Sequence, residues 1–110
     1  MGRKSGALLQ GTVDMLVLKT LQEGPMHGYG VSEAIGERTD GVVGLDDAAL
    51  YQALHRLAAK GYVESEWGLS ENNRRAKFYR LTLKGSRQLD TATDEWRRYA
   101  DAVLKVLDNQ

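Results

Sequence analysis

Apolar residues recur at helical spacing through Leu9, Val13, Leu16, Val17 and Leu21, which predicts a first helix over about Leu8 to Leu21. Gly24-Pro25 stops it. The stripe is wide, as suits a helix buried on more than one side. A second helix is predicted from about His27-Gly28-Tyr29 to about Arg38, with Val31, Ala34 and Ile35 as its few apolar positions. Asp40-Gly41 and Gly44 mark a loop. Asp46 or Asp47 then caps a third helix, because a carboxylate there accepts from exposed backbone N–H groups and suits the helix dipole. Leu50, Ala53, Leu54 and Leu57 form its inner stripe, Tyr51, Gln52, His55 and Arg56 point elsewhere, and Gly61 breaks it.

The pattern then changes. Tyr62-Val63-Glu64-Ser65-Glu66-Trp67 and Ala76-Lys77-Phe78-Tyr79-Arg80-Leu81-Thr82 read as strands, joined by a polar tip that ends in Asn72-Asn73-Arg74-Arg75. Pairing Trp67 with Ala76 across the tip puts Glu66 opposite Lys77, a favourable cross-strand pair. Thr82 caps a last helix over about Leu83 to Leu107. On it Leu89, Ala92, Trp96, Tyr99, Val103 and Val106 follow three-four spacing, and Leu104 and Leu107 widen the stripe. Such a stripe on a long helix after a small domain needs a partner surface. A homodimer is predicted, with this helix packed on its symmetry mate or on the mate's first helix.

A helix that runs straight into a hairpin with a cationic tip suits a DNA duplex. The helix can enter a major groove while the tip reaches neighbouring phosphates or the minor groove. The predicted fold is therefore α+β, mainly α: a winged helix-turn-helix with a two-stranded wing over residues 1–82, then a long dimerisation helix over residues 83–110. No internal repeat or linker is visible.

Composition changes this picture little. The 110 residues fit one domain with a small core, and the single Pro and ordinary apolar content argue against disorder. The chain has no cysteine, which excludes disulfides and thiolate metal sites and is compatible with the reducing cytoplasm, the expected location. No apolar run is long enough to span a bilayer, and Met1-Gly2-Arg3-Lys4-Ser5 lacks the apolar stretch of a signal peptide. Gly6 stands where an N-myristoylation motif wants Ser or Thr. Net charge is zero, where DNA-binding domains usually carry a basic excess. Distribution matters more: Arg74, Arg75, Lys77 and Arg80 cluster in the hairpin, while Asp90, Asp94, Glu95, Asp101 and Asp108 lie in the C-terminal segment. A basic face with an acidic rear sums to zero and still binds DNA.

Each candidate residue has a plainer alternative. Arg74, Arg75 and Lys77 either meet phosphates, gaining through counterion release, or form an ordinary solvated turn. Asn73 either hydrogen-bonds to phosphate or supplies a left-handed turn residue. Tyr51 donates its hydroxyl to a phosphate or packs as a surface aromatic. Gln52, His55 and Arg56 are candidates for the groove face, but Arg56 is equally suited to pair with an acid inside the domain. His27 caps the second helix or touches phosphate, and Tyr29 is placed to reach a phosphate too. With His27 and His55 the only histidines, and no nucleophile or paired-carboxylate arrangement, an enzyme is not expected. No close cluster of ligand type suggests a metal, and no cofactor is expected.

The residues that carry this pattern resemble the PadR-like transcriptional regulators over nearly the whole chain. The matching runs are Leu8-Leu9-Gln10-Gly11-Thr12-Val13-Asp14-Met15-Leu16-Val17-Leu18, Gly24-Pro25-Met26-His27-Gly28-Tyr29-Gly30-Val31, Leu50-Tyr51-Gln52-Ala53-Leu54-His55-Arg56-Leu57, and Glu66-Trp67-Gly68 with Asn72 through Thr82. The single C-terminal helix containing Trp96 looks like the small subfamily. The resemblance implies a dimeric bacterial winged-helix repressor. Such proteins often bind an inverted repeat near their own gene, and some are released by small molecules. The apolar stripe puts Leu89, Trp96, Tyr99, Val103 and Val106 in the expected dimer interface, and the resemblance implies that Trp96 lines it, where the Trp of some members stacks on planar aromatic effectors; plain interface core is the alternative for Trp96.

The chain departs from the family at the start of the recognition helix. The family usually has Gly-Ser before Leu-Tyr and Pro after Tyr; here those positions are Ala48, Ala49 and Gln52. A Ser there donates to phosphate and Ala49 cannot, whereas Gln52 adds a side chain that can read adenine bidentately. Asp46 and Asp47 put negative charge at the same end. With the zero net charge, these features favour a rival reading, a winged-helix dimer that acts through a protein partner.

Overall fold

Helix α1 spans Gly2–Leu21 in the computed structural model, which describes residues 2–109 and, within α1, side chains from residue 11 onward. It begins earlier than the apolar stripe predicts, and the side chains of Leu8 and Leu9 lie outside the described residues. Strand β1 (Met26–His27) follows, then α2 (Gly28–Arg38), α3 (Asp47–Ala59), β2 (Val63–Leu69), β3 (Arg75–Leu81) and α4 (Leu83–Leu107). Three helix starts are fixed by the side chains at their caps. His27 Nδ1 accepts from Gly30 N–H at 3.0 Å, Asp46 Oδ1 from Ala49 N–H at 2.7 Å, and Thr82 Oγ1 from Gly85 N–H at 3.0 Å. Each satisfies a donor that the first helical turn leaves without an intrahelical partner. The first is the capping role weighed for His27, and the second decides between the two aspartates.

The core lies where the helices meet the sheet. Val17, Leu18 and Leu21 of α1, Val31 and Ile35 of α2, and Leu50, Ala53, Leu54 and Leu57 of α3 are buried together with Val63, Tyr79 and Leu89. The α3 stripe and Val17, Leu21, Val31 and Ile35 are those that the periodicity predicts, whereas Leu18 joins them and Val13, Leu16 and Ala34 are only partly covered. On α4 the stripe divides: Leu89 belongs to the core of its own chain, at 3% exposure, while Trp96, Tyr99 and Val103 stay open to solvent. The second half of α4 projects from the body, which gives the molecule extents of 56 × 28 × 26 Å.

The sheet has three antiparallel strands in the order β1-β3-β2. The two-stranded wing is β2 with β3, and β1 adds Met26 opposite Tyr79 and His27 opposite Phe78. A strand of two residues leaves no periodic trace in a sequence.

The wing register differs from the predicted one by one residue. Trp67 pairs with Lys77 rather than Ala76, and Glu66 pairs with Phe78 rather than Lys77. The cause is the turn. The predicted pairing needs a loop with an even number of residues, whereas this hairpin closes with Ser70 N–H donating to Arg74 O at 2.8 Å and Asn73 N–H to Ser70 O at 2.9 Å. Asn73, at a φ of +58°, supplies the left-handed residue that follows the turn in a three-residue loop.

The turn into the wing is equally specific. Gly61, at a φ of +78°, donates to Ala58 O at 3.0 Å, and Tyr62 N–H donates to Leu57 O at 2.9 Å. This paired closure satisfies the last carbonyls of α3 and turns the chain directly into β2.

Candidate nucleic-acid interface

Helix α3 buries Leu50, Ala53, Leu54 and Leu57, so the residues between them must face outward. Ala48, Tyr51, Gln52, His55 and Arg56 line one shallow, open recess on that outer side. Tyr51, Gln52 and His55 are exposed. Arg56 is different. Its Nη2 donates to Asp14 Oδ1 of α1 at 2.7 Å, and both side chains are largely covered, at 27% and 17% exposure. The pairing with an acid inside the domain is therefore formed, and the guanidinium is committed to holding α3 on α1.

Tyr51 links the face of α3 to the start of α2. Its hydroxyl end occupies the space that a side chain at position 28 would fill, where Gly28 has none. Burial pushes the Tyr79 hydroxyl above its ordinary pKa, and neighbouring Tyr51 adds to the rise. About half of Tyr51 remains exposed. Tyr29, in the first turn of α2, is exposed beside the His27 ring, and His27 makes an edge-to-face contact with Phe78 at 5.5 Å between centroids. The start of α2, the outer side of α3 and the sheet are thus tied together by aromatic contacts rather than by charge.

The wing carries the free cations. Arg74, Arg75 and Lys77 are exposed, and among the described residues no carboxylate pairs with any of them. The contrast is Arg80, whose Nη2 lies 2.5 Å from Glu64 Oε2. Arg74 sits at the end of the tip, where its backbone N–H donates to Ser70 Oγ at 3.3 Å. Asn73 holds the turn in its left-handed conformation. Arg75 and Lys77 both lie over the indole of Trp67, at 4.5 Å and 5.9 Å from the ring centroid.

Two further surfaces belong to α4. Trp96, Tyr99, Val103, Leu104, Val106 and Leu107 are between 38% and 77% exposed along one helix. An open cleft of about 730 Å³ lies between α1, the end of α3 and α4, with Asp14, Met15, Tyr62, Trp96 and Tyr99 among its lining. Among the described residues no group of three or more His, Cys, Asp or Glu is arranged to hold a metal ion, and no helix is long and apolar enough to cross a membrane.

Sequence reasoning missed two participants. Asp14 stands 42 positions from Arg56 and carries no local signal of that pairing. Trp67 had a signal, the alternation of the wing, but a register displaced by one residue hid its pairing with Lys77.

The fold recurs in solved structures. A transcriptional regulator from Clostridium thermocellum superposes with a TM-score of 0.81 at 31% identity, over 90% of this chain and 93% of that one. A PadR family transcriptional regulator from Eggerthella lenta gives 0.79 at 29% identity, over 99% and 93%. An uncharacterized protein of Lysinibacillus sphaericus is 27% identical over 96 residues, 87% of this chain and 88% of that protein. The family model described as the transcriptional regulator PadR-like family matches residues 17–91, which takes in α2, α3 and the whole wing. With that match and these structural relatives, the chain belongs to the transcriptional regulator PadR-like family.

Proposed function

We propose that the protein is a cytoplasmic homodimeric repressor that binds an inverted repeat in a promoter. Membership of the family makes it a DNA-binding transcriptional regulator and not an enzyme. The finer reading adds that α3 enters the major groove with Gln52 and His55 toward the bases. Tyr29, Tyr51, Asn73, Arg74, Arg75 and Lys77 then meet the backbone. Arg56 holds α3 in place through Asp14 and lines the recess from its edge. Two copies related by a two-fold axis read half-sites about one helical turn apart.

One observation carries this reading: three exposed cations, with no acidic partner among the described residues, stand on a wing that follows α3 directly. Cations left free in the folded chain keep their charge for phosphate, and each contact releases counterions from the duplex. The dimer is supported by the apolar side of α4, which finds no cover among the described residues. The cleft beside Trp96 is a place for a planar aromatic effector, since Tyr62, Trp96 and Tyr99 offer ring faces there.

Asp46, one of the two negative charges near the start of α3 that favour the rival reading, caps the helix and keeps its charge there.

The test is a titration of the protein against the DNA upstream of its own coding sequence and against a scrambled duplex, at low and near-physiological salt. The parent is expected to prefer the upstream fragment. Arg74→Ala with Arg75→Ala is expected to weaken binding to both duplexes and to make the salt slope shallower by about 2, at roughly 0.9 per lost phosphate contact. An unchanged slope contradicts the wing assignment. Weak and equal binding of both duplexes by the parent favours a protein partner instead.

A further inference from the structure

We propose that Trp67 is a positioning residue for DNA binding, which holds Arg75 and Lys77 in line for the phosphates of a bound duplex. The inference rests on the DNA reading of the wing given above.

Alternation along the hairpin separates its two sides. Val63, Ser65, Trp67 and Leu69 share one side with their partners Leu81, Tyr79, Lys77 and Arg75. Glu64, Glu66 and Gly68 share the other with Arg80, Phe78 and Ala76. The first side starts in the core at Val63 and Tyr79 and then runs out past the body, where its only charges are Arg75 and Lys77. The second side carries two glutamates and one arginine, and that arginine is tied to Glu64. A polyanion is attracted to the first side alone, and Trp67 sits in the middle of it.

The indole stands at the surface of the wing. It is 58% exposed and lies outside the buried core. What it does touch are the two cations. The Arg75 guanidinium carbon stands 4.5 Å from the ring centroid and Lys77 Nζ stands 5.9 Å from it. Both distances fall within the range in which a ring face attracts a cation.

Stacking has a particular use for arginine. The guanidinium is planar and carries its five N–H donors at its edges, so a flat contact with a ring leaves those donors free for phosphate. Long cationic side chains lose rotamer freedom when they settle on DNA, and one already held by a ring has less left to lose. The pairing of Trp67 with Lys77 is fixed by the three-residue turn at Asn73, so the turn, the ring and both cations form one unit.

Trp67→Ala, Trp67→Phe, the pair Arg75→Ala with Lys77→Ala, and the triple variant with Trp67→Ala would be titrated against the upstream and scrambled duplexes at several salt concentrations. Thermal unfolding would confirm that each remains folded. Trp67→Ala is expected to weaken both duplexes by roughly tenfold and to reduce the salt slope by about 1 to 2, at roughly 0.9 per phosphate contact. Trp67→Phe, which keeps a ring face, is expected to recover most of the loss. Adding Trp67→Ala to the cation pair is expected to change nothing further. A Trp67→Ala protein with the parent's slope, or an effect that adds in full to the cation pair, overturns the proposal while leaving the wing reading intact. If the cation pair itself binds like the parent, the wing reading fails and the proposal fails with it.

Discussion

Arg56 and Arg75 carry the same charge and have different uses, decided by what surrounds them. Arg56 is drawn into the domain by Asp14, and its Nε is buried with no partner among the described residues. A largely covered ion pair of this kind is costly to break, because the remaining charge keeps its desolvation without its attraction. Arg75 has a ring beneath it and, among the described residues, no acid paired with it, so its donors stay available. Gly85 shows the same logic in the backbone. A Cβ built on it lies 2.0 Å from the Tyr62 carbonyl oxygen. That oxygen is pinned by accepting from Thr82 N–H at 3.1 Å. Helix propensity alone predicts that Gly85→Ala stabilises α4 by about 1 kcal/mol. The clash is the larger effect, since backbone rather than a flexible side chain must move, and overpacking of this kind costs roughly 3 kcal/mol. Thermal unfolding of Gly85→Ala is therefore expected at least about 10 °C below the parent. An unchanged or raised midpoint contradicts the close crossing of α4 over the start of β2.

At the scale of elements, the helices were legible and the sheet less so. Leu50, Ala53, Leu54 and Leu57 announce the buried side of α3 because side-chain direction along a helix follows from spacing alone. Pairing between strands depends on the loop between them, and a single residue more or less in the loop displaces every pair. Asn73 was read both as a turn residue and as a phosphate ligand, and its left-handed φ is what moved Trp67 from Ala76 to Lys77. Strand β1 was illegible because Met26 and His27 pair with Tyr79 and Phe78, far along the chain. The candidate site divides in the same way. The outward residues of α3 follow from periodicity, whereas Asp14 and Trp67 enter only through tertiary contact. Leu89 fits the helical repeat of α4 yet is spent on the core, so the surface left for a partner starts nearer Trp96. Val103 lies on that surface at 38% exposure. A glutamate there would bury an unpaired charge in a dimer and nothing in a monomer. Val103→Glu is expected to weaken self-association by at least roughly tenfold in sedimentation while helical circular dichroism is kept. A parent that sediments as a 12.2 kDa monomer, or a variant that associates as tightly as the parent, contradicts α4 as the dimer surface.

At the scale of the whole molecule, zero net charge and DNA binding are reconciled by placement. Among the described residues no acid pairs with the wing cations Arg74, Arg75 and Lys77, and the acidic excess lies in residues 23–47, where Glu23, Glu33, Glu37, Asp40, Asp46 and Asp47 stand against Arg38 alone, while the acids of α4 are matched by its own cations. Steering depends on the local field rather than on the sum, so a duplex meets the wing side first. The cleft beside Trp96 lies between α1, α3 and α4, and Asp14 lines it while also holding Arg56. Anything that binds there meets the Asp14 that anchors α3 as well as the exposed Trp96 and Tyr99 of α4. On the proposed reading, two copies joined through α4 present α3 and the wing to one face of a duplex as a two-fold pair, and hydroxyl-radical footprinting of the parent on its upstream fragment is the decisive measurement. Two protected patches are expected on one face of the duplex, related by a dyad and about one helical turn apart. A single patch, or uniform protection without a dyad, would contradict this reading.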